Sequence, residues 1–240
     1  MGIKAAALVL GGGSGSRMSG NGMPKQYFML GDKPVILHSV RKFLDCSLIN
    51  AVIIVCPAQY LDYTKALAEK YLTAEDMTRV RVVKGGSDRN ASLMEGLAAA
   101  EAWIGGSGAV VLTHDAARPF INERIIRENI AAAADAGACA TVIPATDTIM
   151  ESADGKVISA MPARRCMYQA QTPQSFRFSL LYDTMKSMTP EERSVFTDAC
   201  GILQAKGIAV RMVGGDVNNI KITYPRDMYT AEGIWKGSQE

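Results

Sequence analysis

Short apolar runs alternate with helical patterns along the first 144 residues of the chain. Each run spans five or six residues, and near-continuous apolar character is typical of strands that are covered on both faces. The predicted strands are Ala5–Leu10, Val52–Cys56, Val80–Lys84, Ala109–Thr113 and Ala140–Pro144. Segments with the apolar spacing of amphipathic helices lie between them, namely Val35–Leu44, Leu61–Tyr71, Ala91–Trp103 and Glu123–Ala136. This alternation predicts an α/β fold with a Rossmann-like, mostly parallel sheet and helices on both faces.

The pattern changes at about residue 145. A turn signal at Asp154-Gly155 and polar-apolar alternation over Lys156–Ala160 predict a β-hairpin instead of another βαβ unit. We expect this β-arm to span approximately residues 145–172 and to project from one domain formed by residues 1–240.

The last third of the chain returns to helices and strands. Thr189-x-x-Glu192 has the form of a capping box, and Thr197 or Asp198 can cap a helix that ends near Gly207. Two further strands and a last helix are then predicted, at Ala209–Val213, at Ile220–Thr223 and from about Pro225.

Composition narrows the function classes. The net charge of +2 is too small for a surface that binds nucleic acid by bulk charge. The apolar run Ala5–Leu10 is too short to span a membrane. From these two observations we expect neither a nucleic-acid nor a membrane partner, and we expect a cytoplasmic location. The five cysteines include no C-x-x-C pair, which gives no signal for a zinc or redox site.

A glycine-rich loop follows the first strand. Gly11-Gly12-Gly13-Ser14-Gly15-Ser16-Arg17 lacks the third glycine of the dinucleotide fingerprint and the Gly-Lys-Ser/Thr of a P-loop. It supplies Arg17 and then Lys25 instead. Backbone N–H groups of glycines approach phosphates closely, and two cations on one loop suit a triphosphate. The alternative is a plain turn with solvated charges.

Two more clusters follow strands, where ligands bind in open α/β sheets. Residues 85–92 read Gly-Gly-Ser-Asp-Arg-Asn-Ala-Ser, in which Asn90 or Ser92 caps a helix or, alternatively, Ser92 and backbone groups hold a pyrimidine edge. Residues 113–119 contain Asp115 and Arg118, which form either a surface ion pair or contacts to ligand hydroxyls and phosphate. His114 has no paired nucleophile, which favours a structural role over that of a general base.

These motifs, together with several downstream, resemble one family along nearly the whole chain. In chain order they read L-x-G-G-x-G-x-R-M, P-K-Q-Y, G-G-x-x-R-x-x-S, H-D-A-A-R-P, D-T-I, Q-T-P-Q, T-D-A and N-I-K-I-T. The chain is similar to the cytidylyltransferases that act on alditol phosphates. One branch of that family acts on 2-C-methyl-D-erythritol 4-phosphate in isoprenoid biosynthesis, and the other acts on ribitol 5-phosphate for wall or capsule polymers such as teichoic acid.

The resemblance implies roles for individual residues. The catalytic cations are implied to be Arg17, Lys25, Arg164 and Lys221. The nucleotide is implied to contact Gly11, Gly12, Gly13, Gly15, Gly86, Arg89, Ser92 and Ala116. The acceptor side is implied to be Asp115, Arg118, Thr148, Thr172, Thr197 and Thr223, shared in part across a homodimer through the β-arm. The implied cofactor is Mg²⁺, and the sequence indicates no metal ligands.

The implied chemistry requires little from the protein beyond alignment and charge stabilisation. The acceptor phosphate is already ionised, so it attacks the α-phosphorus of CTP without a general base, and pyrophosphate leaves. A site with several cations and no Ser-His or Cys-His pair fits this reaction.

Only short sequence segments distinguish the two branches of this family. Pro24-Lys25-Gln26-Tyr27 and the double alanine at 116–117 favour the methylerythritol branch, whereas segments 147–152, 168–171 and 197–200 look more like the ribitol branch. Because the second set lies on the acceptor side, we predict ribitol 5-phosphate, with 2-C-methyl-D-erythritol 4-phosphate as the alternative. A CTP sensor without turnover and a sugar-nucleotide pyrophosphorylase for another base are more remote alternatives.

Overall fold

The computed structural model describes residues 3–12, 23–106 and 108–238. Its strands are β1 Ala5–Leu10, β2 Met29–Leu30, β3 Lys33–Pro34, β4 Ala51–Cys56, β5 Val80–Lys84, β6 Val110–Asp115, β7 Ala138–Pro144, β8 Tyr168–Arg177 and β9 Arg211–Gly214. Its α-helices are α1 Val35–Asp45, α2 Leu61–Tyr71, α3 Ala74–Met77, α4 Arg89–Ile104, α5 Glu123–Ala136, α6 Phe178–Lys186, α7 Pro190–Ser194, α8 Ala199–Ala205 and α9 Pro225–Gly237. None of these helices is long and apolar enough to cross a bilayer.

Seven strands form one sheet in the order β5-β4-β1-β6-β8-β7-β9, and β2 and β3 pair separately. The pairs β5-β4, β4-β1, β1-β6 and β7-β9 are parallel, whereas β8 runs antiparallel to both β6 and β7. The predicted mostly parallel α/β sheet is therefore confirmed. Since the chain leaves β1 for β4 on one side and later returns to β6 on the other, strand order reverses beside β1, which is where such sheets bind ligands.

Apolar side chains on the two sheet faces form two separate cores. Along β1, Ala5, Ala7 and Val9 face the core that contains Phe43 of α1, while Ala6 and Leu8 face the opposite core. Helices α1, α2 and α5 cover the first face, and α4, α6 and α8 cover the second. This explains why the central strands β1, β4 and β6 read as nearly continuous apolar runs, because neither of their faces meets water.

Strand β8 was not predicted, because the expected β-arm included its first half up to Thr172. The strand begins at Tyr168 and lies between β6 and β7, although its sequence is rich in polar residues and contains Pro173. The predicted strand at Ile220–Thr223 is also wrong, since this segment makes no strand pair. Instead Ile222 N–H donates to the Ala117 carbonyl, and Thr223 N–H donates to the Asp227 carboxylate at the start of α9.

The segment between β7 and β8, residues 146–166, is exposed along most of its length and is called the arm below. Its predicted turn is present, because Gly155 has φ 69° and Asp154 accepts hydrogen bonds from the backbone of Lys156 and Val157. Pairing across the hairpin is limited to one antiparallel bridge, between Glu151 and Ala160. The arm thus projects as expected but has much less strand structure than its alternation suggested.

Candidate active site

The carboxyl ends of β1, β5 and β6 bring three predicted motifs to one edge of the sheet. Gly11 follows β1, the Gly85-Gly86 pair follows β5, and β6 ends at Asp115. Asp88 caps α4 by accepting from Ala91 N–H, so the expectation that Asn90 or Ser92 caps this helix is wrong. The two residues lie inside the first turn, because the helix starts earlier than its apolar pattern indicates.

Asp115 is the centre of a group of charges at this edge. Its Oδ1 lies 2.8 Å from Arg89 Nη1, and its Oδ2 lies 2.8 Å from Lys221 Nζ and 3.8 Å from Arg118 Nε. Asp115 is only 6% exposed. The surface ion pair considered for Asp115 and Arg118 is therefore wrong, and residues that are far apart in sequence meet at one buried carboxylate.

Burial by itself raises the pKa of the Asp115 carboxyl, but Arg89, Lys221 and Arg118 hold that pKa well below its ordinary value. The carboxylate is therefore ionised throughout the physiological range. Since three cations surround one anion, the group retains a net positive charge, which suits a phosphate-bearing ligand.

Two cavities meet at this group. The first, called the glycine cavity, has a volume of ≈ 210 Å³, and the second, called the threonine cavity, has a volume of ≈ 240 Å³. Both are lined by Arg89, Asp115 and Lys221. The glycine cavity is also lined by Leu10, Gly11, Gly12, Lys25, Gln26, Ser92, Ala116 and Ala117. The threonine cavity is also lined by Arg118, Ala170, Gln171, Thr172, Gln174, Thr197 and Asp198.

Thr172 links β8 to the end of β6 through a fully buried histidine. The His114 Nε2 lies 3.0 Å from the Arg118 carbonyl oxygen, which can only accept, so the neutral ring carries its proton on Nε2. Its Nδ1 then accepts from the Thr172 hydroxyl (3.1 Å), and Thr172 Oγ1 accepts from Asp115 N–H (3.1 Å). These contacts favour the predicted structural role of His114 and fix Asp115 against β8.

Burial lowers the pKa of His114 from 6.5 to about 4. The unfolded chain therefore takes up a proton below pH 6.5 that the folded chain resists, so the stability supplied by neutral His114 is complete above pH 6.5 and is lost as pH falls toward 4. Each pKa unit is worth about 1.36 kcal/mol, so we expect the unfolding free energy measured in urea to fall by about 2 kcal/mol between pH 7 and pH 5 from this residue.

His114→Gln should remove that part of the pH dependence. His38, the other histidine of the chain, is a matched control, because it is only partly buried and its Nε2 contacts the Leu30 carbonyl away from this group. His38→Gln should keep the His114 contribution. An unchanged pH slope in His114→Gln would contradict the assignment.

Arg118 and Asn219 hold the segment that delivers Lys221. The Arg118 guanidinium donates to the Asn219 carbonyl (2.7 Å) and to the Ala170 carbonyl (3.3 Å). The buried Asn219 amide donates to the Thr172 carbonyl (2.9 Å) and to Gln171 Oε1 (3.2 Å). Because these contacts anchor the backbone two residues before Lys221, the ammonium reaches Asp115 from irregular chain instead of from the predicted strand.

Gln26 fixes the start of the glycine-rich loop. Its Nε2 donates to the Gly11 carbonyl (2.6 Å), and Gly11 N–H donates to the Val55 carbonyl (2.7 Å). A Cβ at Gly85 would lie 2.7 Å from Ser92 Oγ, and a Cβ at Gly86 would collide with the Ala91 side chain. The chain after β5 therefore needs glycine, because its backbone passes close to α4. Ser92 of α4 lines the glycine cavity at this point.

Gly86→Ala is expected to displace this loop. The new methyl group collides with Ala91 and would lie 2.9 Å from its carbonyl carbon, so we expect a loss of about 1–3 kcal/mol of unfolding free energy from overpacking and a raised KM for the nucleotide. Gly233→Ala in α9 is the control, since a Cβ there meets nothing within 4 Å. It should be neutral or stabilise by about 0.5–1 kcal/mol. Equal behaviour of the two variants in thermal melts and kinetics would contradict the packing argument.

Several residues that were predicted to belong to the site do not line either of the two cavities. Thr148 and Arg164 lie on the exposed arm, where Arg164 Nη1 donates to the Thr146 carbonyl of the same chain (3.2 Å). Thr223 donates to the Lys221 carbonyl (3.2 Å) but lines neither cavity. Gly13, Gly15 and Arg17 lie outside the described residues.

Four buried polar residues in or beside the site were given no role from the sequence, namely Gln26, Gln171, Gln174 and Asn219. All of them belong to the short motifs that carry the family resemblance. The sequence signal that could have indicated them is the presence of amide side chains next to the expected ligand-binding residues. The sequence alone did not show that these amides contact backbone groups far away in the chain.

The described residues contain no cluster of three or more His, Cys, Asp or Glu side chains that could hold a metal ion. Asp115 is the acidic side chain that lines the glycine cavity, and both of its oxygens face cations. The donor set therefore fits a divalent ion that is held mainly by phosphate oxygens of a bound nucleotide, which is the usual preference of Mg²⁺.

Comparison with known proteins agrees with this fold. Residues 5–236 match the IspD family, 2-C-methyl-D-erythritol 4-phosphate cytidylyltransferase. A solved structure of 4-diphosphocytidyl-2C-methyl-D-erythritol synthase from Anaerococcus prevotii is similar, with a TM-score of 0.81 and 26% identity over 98% of this chain and 96% of the other. A 2-C-methyl-D-erythritol 4-phosphate cytidylyltransferase from Thermus thermophilus has a TM-score of 0.70 and 25% identity over 98% and 100% of the two chains. At 22% identity and a TM-score of 0.77 over 96% and 99% of the two chains, the Francisella tularensis enzyme supports the fold alone.

The α/β sheet, the glycine-rich loop and the cationic edge define a nucleotidyltransferase, and the match identifies it as a CTP-dependent cytidylyltransferase. The chain belongs to the 2-C-methyl-D-erythritol 4-phosphate cytidylyltransferase family. The predicted alditol-phosphate cytidylyltransferase family is thereby confirmed. As for the acceptor, the comparisons favour the methylerythritol alternative over ribitol 5-phosphate.

Proposed function

We propose that the chain transfers CMP from CTP to 2-C-methyl-D-erythritol 4-phosphate, with release of pyrophosphate. The observation that carries this proposal is the pair of cavities that share Arg89, Asp115 and Lys221. Two substrates on either side of one group of charges can meet at a single phosphorus atom. The family match over residues 5–236 supports CTP as the nucleotide and the methylerythritol phosphate as the acceptor.

In this proposal the glycine cavity binds CTP. Backbone groups of Gly11 and Gly12 and the Lys25 ammonium bind the triphosphate, together with Gly13, Gly15 and Arg17 of the glycine-rich loop. Gly86, Ser92 and Ala116 serve the cytidine side, where Ser92 Oγ lies 3.4 Å from the Gly86 carbonyl oxygen. Arg89 lies between the cytidine side and the charges around Asp115.

The acceptor occupies the threonine cavity, beside Thr172, Thr197 and Arg118. Its phosphate oxygen attacks the α-phosphorus of CTP, a new P–O bond forms, and the bond from the α-phosphorus to the bridging oxygen breaks with its electron pair going to pyrophosphate. Lys221, held 2.8 Å from Asp115, stabilises the charge that develops at the α-phosphate. Asp115 orients Lys221 and Arg89 and takes no proton, in line with its low pKa.

A divalent cation, proposed to be Mg²⁺, enters with the nucleotide. When bound, such an ion would supply charge neutralisation at the pyrophosphate, and phosphate oxygens would be its main ligands. The protein contributes the surrounding cations and amides that align the two substrates.

The arm is proposed to contribute to the acceptor site of a second copy. Thr148 and Arg164 lie on it, away from both cavities of their own chain. Apolar side chains on the arm and at the start of β8, including Met150, Val157, Ile158, Met161 and Tyr168, are strongly exposed. A homodimer joined through the arms would bury these side chains and bring Arg164 to the partner's acceptor phosphate. A monomeric mass by light scattering would overturn this part of the proposal.

The test is pyrophosphate release with CTP or UTP and each of the two acceptor phosphates. We expect turnover with CTP and a higher kcat/KM for 2-C-methyl-D-erythritol 4-phosphate than for ribitol 5-phosphate. A preference for ribitol 5-phosphate would overturn the acceptor assignment alone. No release in any pairing, with CTP binding intact by calorimetry, would favour a CTP sensor.

A further inference from the structure

Gln174 of β8 has a buried side-chain amide beside the threonine cavity, and the two ends of this amide differ in their hydrogen bonds. Its Nε2 donates to Asp198 Oδ2 (3.0 Å). Its Oε1 is buried without a hydrogen-bond donor in the part of the chain that the structure describes. Buried carbonyl oxygens are nearly always paired in proteins, so an unpaired one beside a cavity calls for a ligand donor.

The direction of the amide follows from its neighbour. Asp198 caps α8, since its Oδ1 accepts from Gly201 N–H (2.8 Å), and a carboxylate offers acceptors only. Turning the amide by 180° would set Gln174 Oε1 against Asp198 Oδ2, which pairs two acceptors. Asp198 therefore keeps the amide nitrogen toward itself and the oxygen away from itself.

The threonine cavity is polar in two different ways. Cationic Arg89 and Lys221 line the part that it shares with the glycine cavity, whereas Gln174 and Asp198 supply acceptor oxygens. A ligand that suits both ends has an anionic group for the cations and hydroxyl groups that donate to the acceptors. This is the chemistry of a phosphorylated polyol.

We propose that Gln174 is a specificity-determining residue, whose Oε1 accepts a hydrogen bond from a hydroxyl group of the acceptor. This inference rests on the proposed function and adds how the chain distinguishes a polyol phosphate from a less hydroxylated phosphate. Asp198 acts through Gln174 as a positioning residue, because it fixes the amide.

The experiment compares the unmodified protein with Gln174→Met, which keeps the approximate shape of the side chain and removes the acceptor oxygen. One neutral hydrogen bond corresponds to roughly a 2- to 12-fold change in affinity. We expect KM for 2-C-methyl-D-erythritol 4-phosphate to rise by about that factor and KM for CTP to stay unchanged. Gln204→Met, at an exposed position of α8, is the matched control and should match the unmodified protein in both constants.

Analogues of the acceptor that each lack one hydroxyl group separate recognition from a structural effect. If Gln174 reads a hydroxyl, one analogue should bind the unmodified protein and Gln174→Met equally well, while the others keep the full difference. If Gln174 only supports the loop at Asp198, every analogue should show the same loss in the variant, and that result would overturn the inference.

The outcomes also separate this inference from the proposed function. Failure of the unmodified protein to transfer CMP to any alditol phosphate would overturn both. Normal transfer with an unchanged KM for the acceptor in Gln174→Met would overturn the inference alone. Circular dichroism establishes that the variant is folded, and Gln174→Leu, which also lacks the acceptor oxygen, replaces it if the methionine variant is not.

Discussion

Replacing Lys25 by alanine should lower kcat for pyrophosphate release by about 10²–10³-fold and leave the melting temperature nearly unchanged. Removing one preorganised group that stabilises transition-state charge typically costs about 2.7–4 kcal/mol. Lys25 lines the glycine cavity, where the charge on the departing pyrophosphate is expected to develop.

Buried neighbours hold the turn that contains Lys25, which is why we expect most of the stability to be preserved. The next two residues are buried. Gln26 donates to the Gly11 carbonyl, and the Tyr27 hydroxyl lies 2.8 Å from Thr64 Oγ1. These contacts keep the short 3₁₀ turn Lys25–Tyr27 in place when the ammonium is removed.

Lys206→Ala is the matched control for this experiment, because Lys206 is an exposed lysine at the end of α8, away from both cavities. It should turn over at the parental rate. Lys25→Arg should recover part of the lost activity, since it restores charge but not the compact ammonium. A parental kcat in Lys25→Ala would remove Lys25 from the proposed machinery.

Asp115→Asn should lower both stability and kcat. The carboxylate makes charge-assisted contacts at 2.8 Å to Arg89 and Lys221, and hydrogen bonds to charged groups contribute about 1.5–3 kcal/mol. The side chains of Arg89 and Lys221 are 36% and 42% exposed and can turn to water, which limits the cost. For a chain of this size, each kcal/mol corresponds to roughly 2–4 °C in Tm.

The loss of kcat has a different cause from the loss of stability. Without the carboxylate, Lys221 no longer has a fixed position at the boundary of the two cavities, and a displacement of about 1 Å at a reacting centre can cost up to roughly 10²-fold. We therefore expect kcat to fall more than the KM for CTP rises, measured under saturating acceptor.

The fall of the unfolding free energy at acid pH gives an independent check on the role of Asp115. Because its pKa lies below the unfolded value near 4, the stabilisation is present above about pH 4 and is lost as pH falls through the lower folded value. The Asp115→Asn variant should lack this contribution to acid-dependent stability. The similar contribution of Asp76, whose pKa is held low by Arg41, should remain.

Asp135→Asn is the control, because Asp135 pairs with Arg211 on the surface at 2.7 Å. Exposed pairs of this kind are worth about 0–1 kcal/mol, so the variant should be nearly silent. If Asp115→Asn were as mild as Asp135→Asn in both Tm and kcat, the buried charge group would not organise the site.

The sequence predicted most of the sheet because its central strands β1, β4 and β6 are buried on both faces. Their apolar residues must continue without interruption, and the glycines that follow β1 and β5 mark the places where backbone must approach closely. The positions of Lys25, Arg89 and Asp115 at one sheet edge follow from the same pattern, since carboxyl ends of adjacent parallel strands lie together.

Strand β8 could not be predicted in this way. Its buried Thr172, Gln174 and Ser175 are polar, and their partners come from distant parts of the chain. Ser175 Oγ donates to Asn129 Oδ1 in α5, and Gln174 pairs with Asp198. A polar strand is stable in the interior only when its side chains have such hydrogen-bond partners, and no local sequence pattern predicts these partners.

The amino-acid sequence by itself determined the parallel half of the sheet, the glycine-rich loop and the family, because periodicity and short motifs are local properties. Only the tertiary structure decided that Lys221 reaches Asp115 from irregular chain, that His114 is a buried neutral link, and that two cavities meet at one carboxylate. These features depend on contacts between residues such as Arg118 and Asn219, which lie about a hundred positions apart. The physical reason is that burial and pairing of polar groups are set by what the whole fold places around them.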